Sequence, residues 1–384
     1  MNLQKYGAAN IEACFNCGNC SAVCPLSTEE DNFPRRMIRY GQLGMADKLV
    51  SSKELWLCYQ CGECTNTCPR QADPGEYMAA ARRYAIGRYD RLGIARRLYT
   101  SPLFNVLSLL LLAAGLALFI YSFHGPMPGD SLRLFDFIPS EVVHYGGMGL
   151  GFLVIVLAIA GVVNMAMQVR KTSVFPKGTR LDRLAAARQT FTEVFSQRRY
   201  RKDCKSEEAE PRRWYASITE KWFVHGAIMW GFMGLFGATA LDYLLEIVGV
   251  KPTGTWVPIW YPVRLLGTLA GLLMVYGVTM AMVRRVHKAD KSVAYSTPSD
   301  WSFLALLWLS GVTGFALEVA VYLPQPHDWS YWMLLAHLVV VLELLLLLPF
   351  SKFAHVVYRT AALYVYALKP VPEAARAGAA TGQA

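Results

Sequence analysis

The chain has 384 residues, of which 54% are hydrophobic and 17% are charged, and it carries a formal net charge of +10. Its long apolar runs exceed what a soluble domain of this size would need, so a wholly soluble protein is excluded. The positive charge does not indicate a nucleic-acid partner, because it lies beside the ends of the apolar runs, where membrane topology accounts for it. We therefore expect a membrane protein with a soluble head.

Eight of the nine cysteines fall in two copies of one spacing near the start of the chain. The pattern Cys-x2-Cys-x2-Cys-x3-Cys-Pro is typical of two-cluster ferredoxins, in which the fourth cysteine of each run ligates the cluster of the other run. It predicts a first [4Fe-4S] cluster held by Cys14, Cys17, Cys20 and Cys68. It predicts a second [4Fe-4S] cluster held by Cys58, Cys61, Cys64 and Cys24. The chemistry implied is one-electron transfer.

Zinc ions and disulfides are the alternative uses of these eight cysteines. Zinc modules usually space their ligands as two separated pairs, unlike three evenly stepped residues followed by one before proline. Disulfides do not suit the reducing cytoplasm in which we expect this segment to lie. The ninth cysteine, Cys204, stands alone and is expected to be a surface thiol.

The predicted head is a helical ferredoxin domain over residues 1–78, because the segment between the cysteine runs carries helix-start patterns. Trp56 and Tyr59 are expected to wall a cluster from water. Residues 79–102 are basic and helical, which predicts a linker helix at the level of the lipid headgroups. A docking face for a soluble partner is the alternative interpretation of that segment.

Six apolar segments are long enough to cross a hydrocarbon core of about 30 Å as helices. We place them near residues 103–123, 141–168, 222–249, 262–283, 301–323 and 330–357. An even number of spans puts both termini on one side. All but three of the 38 Lys and Arg residues lie on that side, the exceptions being Arg133, Lys251 and Arg264. The positive-inside rule therefore predicts a cytoplasmic head in a bacterial cytoplasmic membrane, and no signal peptide opens the chain.

Four histidines fall within these spans, at two depths. His225 and His355 lie near the cytoplasmic ends, whereas His144 and His337 lie on the outer side. Two bis-histidine b haems need two pairs of histidines on facing helices, each pair at one depth in the membrane. The alternative is that single histidines form hydrogen bonds between spans. The separation of His337 and His355 is five helical turns, which would put both rings on one face of a sixth span kinked at Pro349.

The domain plan is thus all-α, with a helical ferredoxin head fused to a six-helix haem b bundle. The transmembrane cytochrome b domain is expected over residues 103–360, followed by a tail at residues 361–384. The cytoplasmic connection at residues 169–221 is long and charged, so it can cover the head or receive a partner.

Ionisable residues cluster in the outer parts of the spans. They are Asp242, Glu246, Arg264 and Glu318, with Glu343 nearer the middle of the membrane. Quinol oxidation releases protons with its electrons, so these residues are candidates for a quinone site near the outer haem. Charged residues at such depth also pair with one another, and neutralisation of Asp242 or Glu318 by Arg264 is an equally open interpretation.

Nearly the whole chain resembles known redox subunits. The cysteine runs, joined by Leu55, Trp56 and Leu57, resemble the small iron–sulfur subunit of heterodisulfide reductases. The membrane part is similar to the haem b subunit of those enzymes and to the gamma subunit of respiratory nitrate reductase, whose last haem-bearing span has two histidines spaced like His337 and His355. A single chain that fuses both parts resembles the C subunits of quinone-interacting membrane-bound oxidoreductase complexes of sulfate reducers.

That resemblance implies a function. Such subunits take electrons from menaquinol through b haems and pass them through their clusters to soluble flavin and iron–sulfur subunits, and finally to adenylylsulfate reductase. One departure concerns the outer haem: the nitrate reductase relative has a second histidine where this chain has Leu235, so the outer haem must use His144 or be absent. A subunit of a heterodisulfide reductase-like complex and a haem-free anchor are the other classes. The absence of a Cys-Cys pair from the sequence argues against a disulfide-reducing enzyme.

Overall fold

A computed structural model describes residues 2–29, 31–170, 181–203, 218–252, 254–289, 295–323 and 327–370. In these ranges the regular elements are helices, and the only β-type pairing is an isolated bridge between Leu181 and Pro370. The predicted all-α fold is therefore confirmed. The chain divides into two compact units. The first contains Met1–Thr100, Ala158–Glu207 and Phe353–Ala384, and the second contains Ser101–Leu157 and Glu208–Lys352.

The N-terminal part of the first unit is built around one helix. The helices here are α1 (Asn19–Ala22), α2 (Arg35–Gln42), α3 (Ala46–Val50), α4 (Glu54–Leu57), α5 (Glu63–Asn66), α6 (Pro74–Tyr89) and α7 (Ile94–Thr100). In α6, the side chains of Tyr77, Met78 and Tyr89 are each only 1% exposed. The Tyr77 hydroxyl donates a hydrogen bond to the Met37 carbonyl at 2.7 Å, which satisfies its polar atom inside the core.

The predicted linker helix over residues 79–102 is instead formed by two helices, α6 and α7, that pack in the first unit. Asp90 and Gly93 separate them, because the Asp90 carboxylate accepts two backbone N–H groups at the start of α7 and Gly93 has a φ of +73°. Arg83 is buried and donates to the Glu76 carboxylate at 2.9 Å. This arginine therefore stabilises the head and does not face lipid headgroups.

Within the described ranges, six of the remaining helices are long and apolar enough to cross a membrane. In chain order the remaining helices are α8 (Pro102–Tyr121), α9 (Leu134–Phe137), α10 (Ser140–Arg170), α11 (Arg183–Ser196), α12 (Arg198–Asp203), α13 (Lys221–Ile247), α14 (Pro262–Val286), α15 (Pro298–Tyr322), α16 (Asp328–Leu346) and α17 (His355–Ala367). The candidate spans are α8, α10, α13, α14, α15 and α16, close to the six predicted segments. The protein is accordingly a membrane protein.

The sixth span is shorter than the sequence predicted. Helix α16 ends at Leu346, and His355 begins the separate helix α17. Pro349 lies between them and has no N–H to donate to the Leu345 carbonyl, so an α-helix cannot continue unbroken through it. The expectation that His337 and His355 share one face of a single helix kinked at Pro349 is therefore wrong.

Glycines bring α13 and α14 together in the second unit. A Cβ atom at Gly231 would lie 2.5 Å from the Met274 backbone nitrogen, and one at Gly277 would lie 2.9 Å from the Ile228 backbone nitrogen. Both positions therefore exclude a side chain, and the close approach of the two helices depends on glycine. A separate core joins α8, α9 and α16 around buried side chains such as Phe137.

Helix α17 completes the core of the first unit. Trp56 of α4 is 1% exposed and packs against both Tyr89 and Tyr358, with ring centroids 6.3 and 5.3 Å away. Helix α11 also packs against α17. Residues that follow the last candidate span thus contribute to the same core as the cysteine-bearing segment.

Candidate functional site

The two cysteine runs adopt the same local conformation. Asn16 and Gln60, each just before the second cysteine of its run, have φ angles of 67° and 57°. Gly18 and Gly62, each just after that cysteine, have φ angles of 96° and 99°. These left-handed residues turn the backbone back on itself, and each glycine then caps a one-turn helix, α1 or α5, that carries the third cysteine.

One pocket gathers the four cysteines predicted to hold the second cluster. Its lining includes Cys24, Cys58, Cys61 and Cys64, together with Tyr59. Cys24 comes from the first run and the other three come from the second, so the fold brings together the crossed set. Burial raises the pKa of the Cys24 thiol to about 12 and also raises the pKa of Cys64. Ligation as thiolates would therefore require a bound metal centre, which deprotonates coordinating thiols.

The cysteines predicted for the first cluster also lie together. Cys20 is close enough to Cys14, Cys17 and Cys68 to interact electrostatically with each of them, and burial followed by these neighbours raises its pKa. Cys68 belongs to the second run, so this set is crossed as well. Cys17 is exposed, unlike any cysteine of the other set.

Each set supplies four thiols, which is the number of ligands that a [4Fe-4S] cluster needs. Within the part of the chain that the structure describes, no three Cys, His, Asp or Glu side chains converge as ligands of one ion. A four-iron cluster presents a separate iron to each cysteine, so it holds thiolates farther apart than one zinc ion does. The cysteine sets therefore fit the predicted [4Fe-4S] clusters, and ligation by each residue stays a prediction.

The second run is enclosed by side chains from distant parts of the chain. The Tyr59 hydroxyl donates to the Glu193 carboxylate of α11 at 2.8 Å, and the Tyr59 ring stacks on Tyr200 of α12 at 5.7 Å. Arg359 of α17 lies 4.4 Å from the centre of the Tyr59 ring and donates to the Cys58 carbonyl at 2.9 Å. The charged connection at residues 169–221 was expected either to cover the head or to receive a partner. Its described part covers the head.

The first run is open by comparison. Phe15, which occupies the same place in the motif as Tyr59, is 61% exposed. Its ring centre lies 5.8 Å from the guanidinium group of Arg70. The Cys14 carbonyl accepts a hydrogen bond from the Gln42 amide at 2.7 Å. The sequence did not identify Gln42, Glu193 or Arg359 as neighbours of the cysteines, because no local motif marks them.

The outer histidines contact different spans. His144 Nε2 lies 3.6 Å from the Glu246 carboxylate, and the His144 ring is 4.7 Å from the Tyr243 ring. His337 Nδ1 lies 2.9 Å from the Thr313 hydroxyl. In the described ranges no hydrogen bond or ring contact joins His144 to His337. His337 thus has its observed hydrogen-bond partner at Nδ1, whereas Nε2 of His144 faces a carboxylate.

The inner histidines belong to different units. His225 is an exposed residue of α13 in the second unit, and His355 is the first residue of α17 in the first unit. Their use as a haem pair stays a prediction. The lone Cys204 lies outside the described residues.

The outer ionisable residues are paired. Lys251 Nζ lies 2.6 Å from the Asp242 carboxylate, and Arg264 Nε lies 2.8 Å from the Glu318 carboxylate. Glu246 has the His144 contact described above. Of the two partners considered for Arg264, the structure therefore has Glu318. A role for these residues at a quinone site stays a prediction.

Comparison with known proteins adds two family matches. A model described as 4Fe-4S dicluster domain matches residues 10–72, and a model described as Citrate utilization protein B matches residues 95–379. The chain is similar to citrate utilization protein B of Escherichia coli, with 27% identity over 299 residues that cover 76% of this chain and 72% of that protein.

Other relatives belong to heterodisulfide reductases. An iron–sulfur subunit of the CoB–CoM heterodisulfide reductase of Methanopyrus kandleri is 35% identical over 12% of this chain and 25% of its own length. A subunit of the dihydromethanophenazine:CoB–CoM heterodisulfide reductase of Methanosarcina mazei is 26% identical over 36% of this chain and 56% of its own length. No solved structure matches this chain. The cysteine runs thus lie in a 4Fe-4S dicluster domain, and the relatives support an electron-transfer role within a complex of several subunits.

Proposed function

Because the chain belongs to the citrate utilization protein B family, we propose that it is a membrane subunit that carries electrons between a soluble redox partner and a membrane quinone. The cysteine runs would hold two [4Fe-4S] clusters, which supply one-electron transfer. The observation that carries the proposal is the fusion, in one chain, of a 4Fe-4S dicluster domain at residues 10–72 with six candidate membrane spans.

The soluble partner is placed at the start of the electron path. The name of the Escherichia coli relative connects that protein with the use of citrate. Oxidation of a carboxylic acid releases electrons that a soluble enzyme must pass on. The proposed partner is therefore a soluble dehydrogenase with a flavin or iron–sulfur centre, and the proposed acceptor is menaquinone.

The opposite direction is the second candidate. In it, menaquinol delivers electrons to the clusters, and soluble flavin and iron–sulfur subunits pass them to adenylylsulfate reductase, as the sequence resemblance implied. The similarity to heterodisulfide reductase subunits favours this candidate, because the resemblance to the complexes of sulfate reducers rests on the same kind of subunits. A partner that reduces a disulfide is a variant of this second candidate.

The exposed side of the first run is the proposed contact for the soluble partner. Cys17 is exposed there, and Phe15 presents an apolar ring to solvent. Arg35 and Arg70 are exposed basic residues beside these two side chains. The positive charges of Arg35 and Arg70 favour a partner with an acidic surface, because opposite charges steer association.

Three histidines of the candidate spans, together with His355 at the start of α17, are proposed to hold b haems, which supply one-electron transfer inside the membrane when bound. The proposed pairs are His225 with His355 and His144 with His337. Support is strongest for His337, because the Thr313 hydroxyl at 2.9 Å from Nδ1 can orient the imidazole of a metal ligand. A Cβ atom at position 314 would lie 3.2 Å from the His337 ring, so Gly314 keeps space beside that ring.

Ionisable side chains of the second unit are proposed to exchange protons with the quinone. The candidates are the Arg264–Glu318 and Asp242–Lys251 pairs and Glu246. Buried ionisable groups in a bilayer are costly, so they are functional candidates by default.

Glu343 is a further candidate on the sixth span. It is 3% exposed, and within the described ranges one of its carboxylate oxygens has no hydrogen-bond partner. An unpartnered buried oxygen is unfavourable unless a ligand or proton satisfies it.

The head and both termini are proposed to lie in the cytoplasm. The support is the distribution of the 38 Lys and Arg residues, of which all but Arg133, Lys251 and Arg264 lie on one side of the six spans. A reducing compartment also suits cysteines that serve as cluster ligands.

Oxidation of the reduced protein by a menaquinone analogue tests the proposal. The full chain is purified in detergent with its cofactors, reduced with dithionite and freed of excess reductant. We expect the analogue to reoxidise the clusters and a b-type haem in the wild type, and to fail to do so in His337→Ala. His327→Ala is the matched control, because His327 is an exposed residue that immediately precedes the same helix.

Either of two results would overturn the proposal. One is a purified protein that has both clusters but no b-type absorbance. The other is full cofactor content without reoxidation by the quinone analogue. Complete reduction of the clusters by menaquinol, without reoxidation by menaquinone, would favour the second candidate.

A further inference from the structure

The backbone carbonyl of Cys58 accepts hydrogen bonds from two guanidinium groups. Arg359 donates from Nη1 at 2.9 Å, and Arg82 donates from Nη2. Arg82 also donates from Nε to the Leu55 carbonyl at 2.9 Å, which fixes the direction of its side chain. Two full positive charges are thereby held beside the second cysteine run.

The equivalent carbonyl of the first run has a neutral donor. The Cys14 carbonyl accepts from the side-chain amide of Gln42, which is an exposed residue. The backbones of the two runs match closely, as the φ angles of 96° at Gly18 and 99° at Gly62 illustrate. The two runs therefore use equivalent carbonyls as acceptors and differ in the charge of the donor.

Among the described residues, neither guanidinium group at Cys58 forms an ion pair with a carboxylate, and the nearby Glu193 accepts from the Tyr59 hydroxyl. The guanidinium groups of Arg82 and Arg359 also repel each other. Like charges that are held together in a partly buried position are unfavourable unless an anion compensates them. The anion that fits this position is a thiolate-ligated cluster in the adjacent cysteine pocket.

We propose that Arg82 and Arg359 raise the reduction potential of the second cluster above that of the first. One-electron reduction adds a negative charge to a cluster that four thiolates already make anionic, so nearby positive charge stabilises the reduced form. Burial alone acts in the opposite direction, because it penalises the more highly charged form. We expect the two cations to outweigh burial, because no carboxylate of the described residues forms an ion pair with either of them. The exposed Arg35 and Arg70 beside the first run are screened by solvent.

The order of potentials sets the direction of transfer between the clusters. One electron from the soluble partner reduces the first cluster, and its transfer to the second cluster oxidises the first and reduces the second. A higher potential at the second cluster makes that step favourable. This consequence rests on the proposed function, in which the partner supplies electrons at the exposed run and the quinone finally accepts them.

A redox titration of the full chain, followed by electron paramagnetic resonance, tests the proposal. In Arg359→Gln we expect the ratio of reduced to oxidised second cluster at a fixed potential to fall about tenfold, which is a shift of about 59 mV for one electron. Arg359→Lys should retain most of the wild-type potential, because it keeps the charge. Gln42→Ala is the matched control and should leave the second cluster unchanged.

Arg82→Gln should shift the reduction potential of the second cluster in the same direction. If Arg82→Gln does not fold, the measurement on Arg359→Gln still tests the proposal. Equal potentials of the two clusters in the wild type would overturn the proposal. A shift of the first cluster alone in Arg359→Gln would overturn it too. These potentials are measured without quinone or partner. A failure of the proposal about the potentials is therefore distinguishable from a failure of the proposed function.

Discussion

The first and second cysteine runs, residues 14–25 and 58–69, have the same backbone but different surroundings. Phe15 of the first run is 61% exposed, whereas Tyr59 at the same position of the second run is held by Glu193 and Arg359. Solvent exposure and nearby charge both influence cluster potentials. The comparison indicates that the motif sets the backbone conformation of both runs, while the surrounding fold makes one run open and the other enclosed.

Loss of a crossed ligand should have the largest effect on this comparison. Cys24→Ser removes a cysteine from the pocket of the second set, so we expect loss of the second cluster and retention of the first. The reciprocal variant, Cys68→Ser, should lose the first cluster. Iron and sulfide analysis combined with electron paramagnetic resonance distinguishes the two. Loss of the cluster nearest in sequence in both variants would show that the ligands are not crossed.

The next largest effect should come from the residue two positions before each run. Trp56→Ala removes a side chain that is 1% exposed and is packed against two tyrosines, so it should lower the free energy of unfolding of the head by about 3–5 kcal/mol. Glu12 is the exposed counterpart of Trp56, and Glu12→Ala should change that free energy by less than about 0.5 kcal/mol. Denaturant-induced loss of cluster absorbance provides the measurement. Equal sensitivity of the two variants would contradict the structural difference.

The smallest effect should come from exchanging the aromatic residues of the two motifs. Tyr59→Phe removes the hydrogen bond to Glu193, which should cost about 1 kcal/mol of stability. Phe15→Tyr adds a hydroxyl at an exposed position and should change stability by less than about 0.5 kcal/mol. The same denaturation measurement applies to both. A neutral Tyr59→Phe would mean that the cover over the second run does not depend on this hydrogen bond.

Local sequence patterns were sufficient to predict most helices. They failed where contacts with distant residues determine the structure. The sixth span was predicted too long because apolar residues continue beyond Pro349, although the helix cannot. The segment at residues 79–102 was predicted as one helix, whereas it is divided between α6 and α7, and its Arg83 is satisfied inside the head by Glu76. The Arg264–Glu318 pair was anticipated as one of two options, since charges in a membrane seek partners.

The sequence by itself determined the class of the protein, the six candidate spans and the two sets of cysteines. These features depend on short stretches, because ligand spacing and the length of an apolar run are local properties. Only the tertiary structure decided which cysteine run is enclosed and which charges lie beside it. Arg359 is 301 residues from Cys58 in the chain, yet its guanidinium group donates to the Cys58 carbonyl. Exposure and electrostatic environment arise from such distant contacts, so no local pattern encodes them.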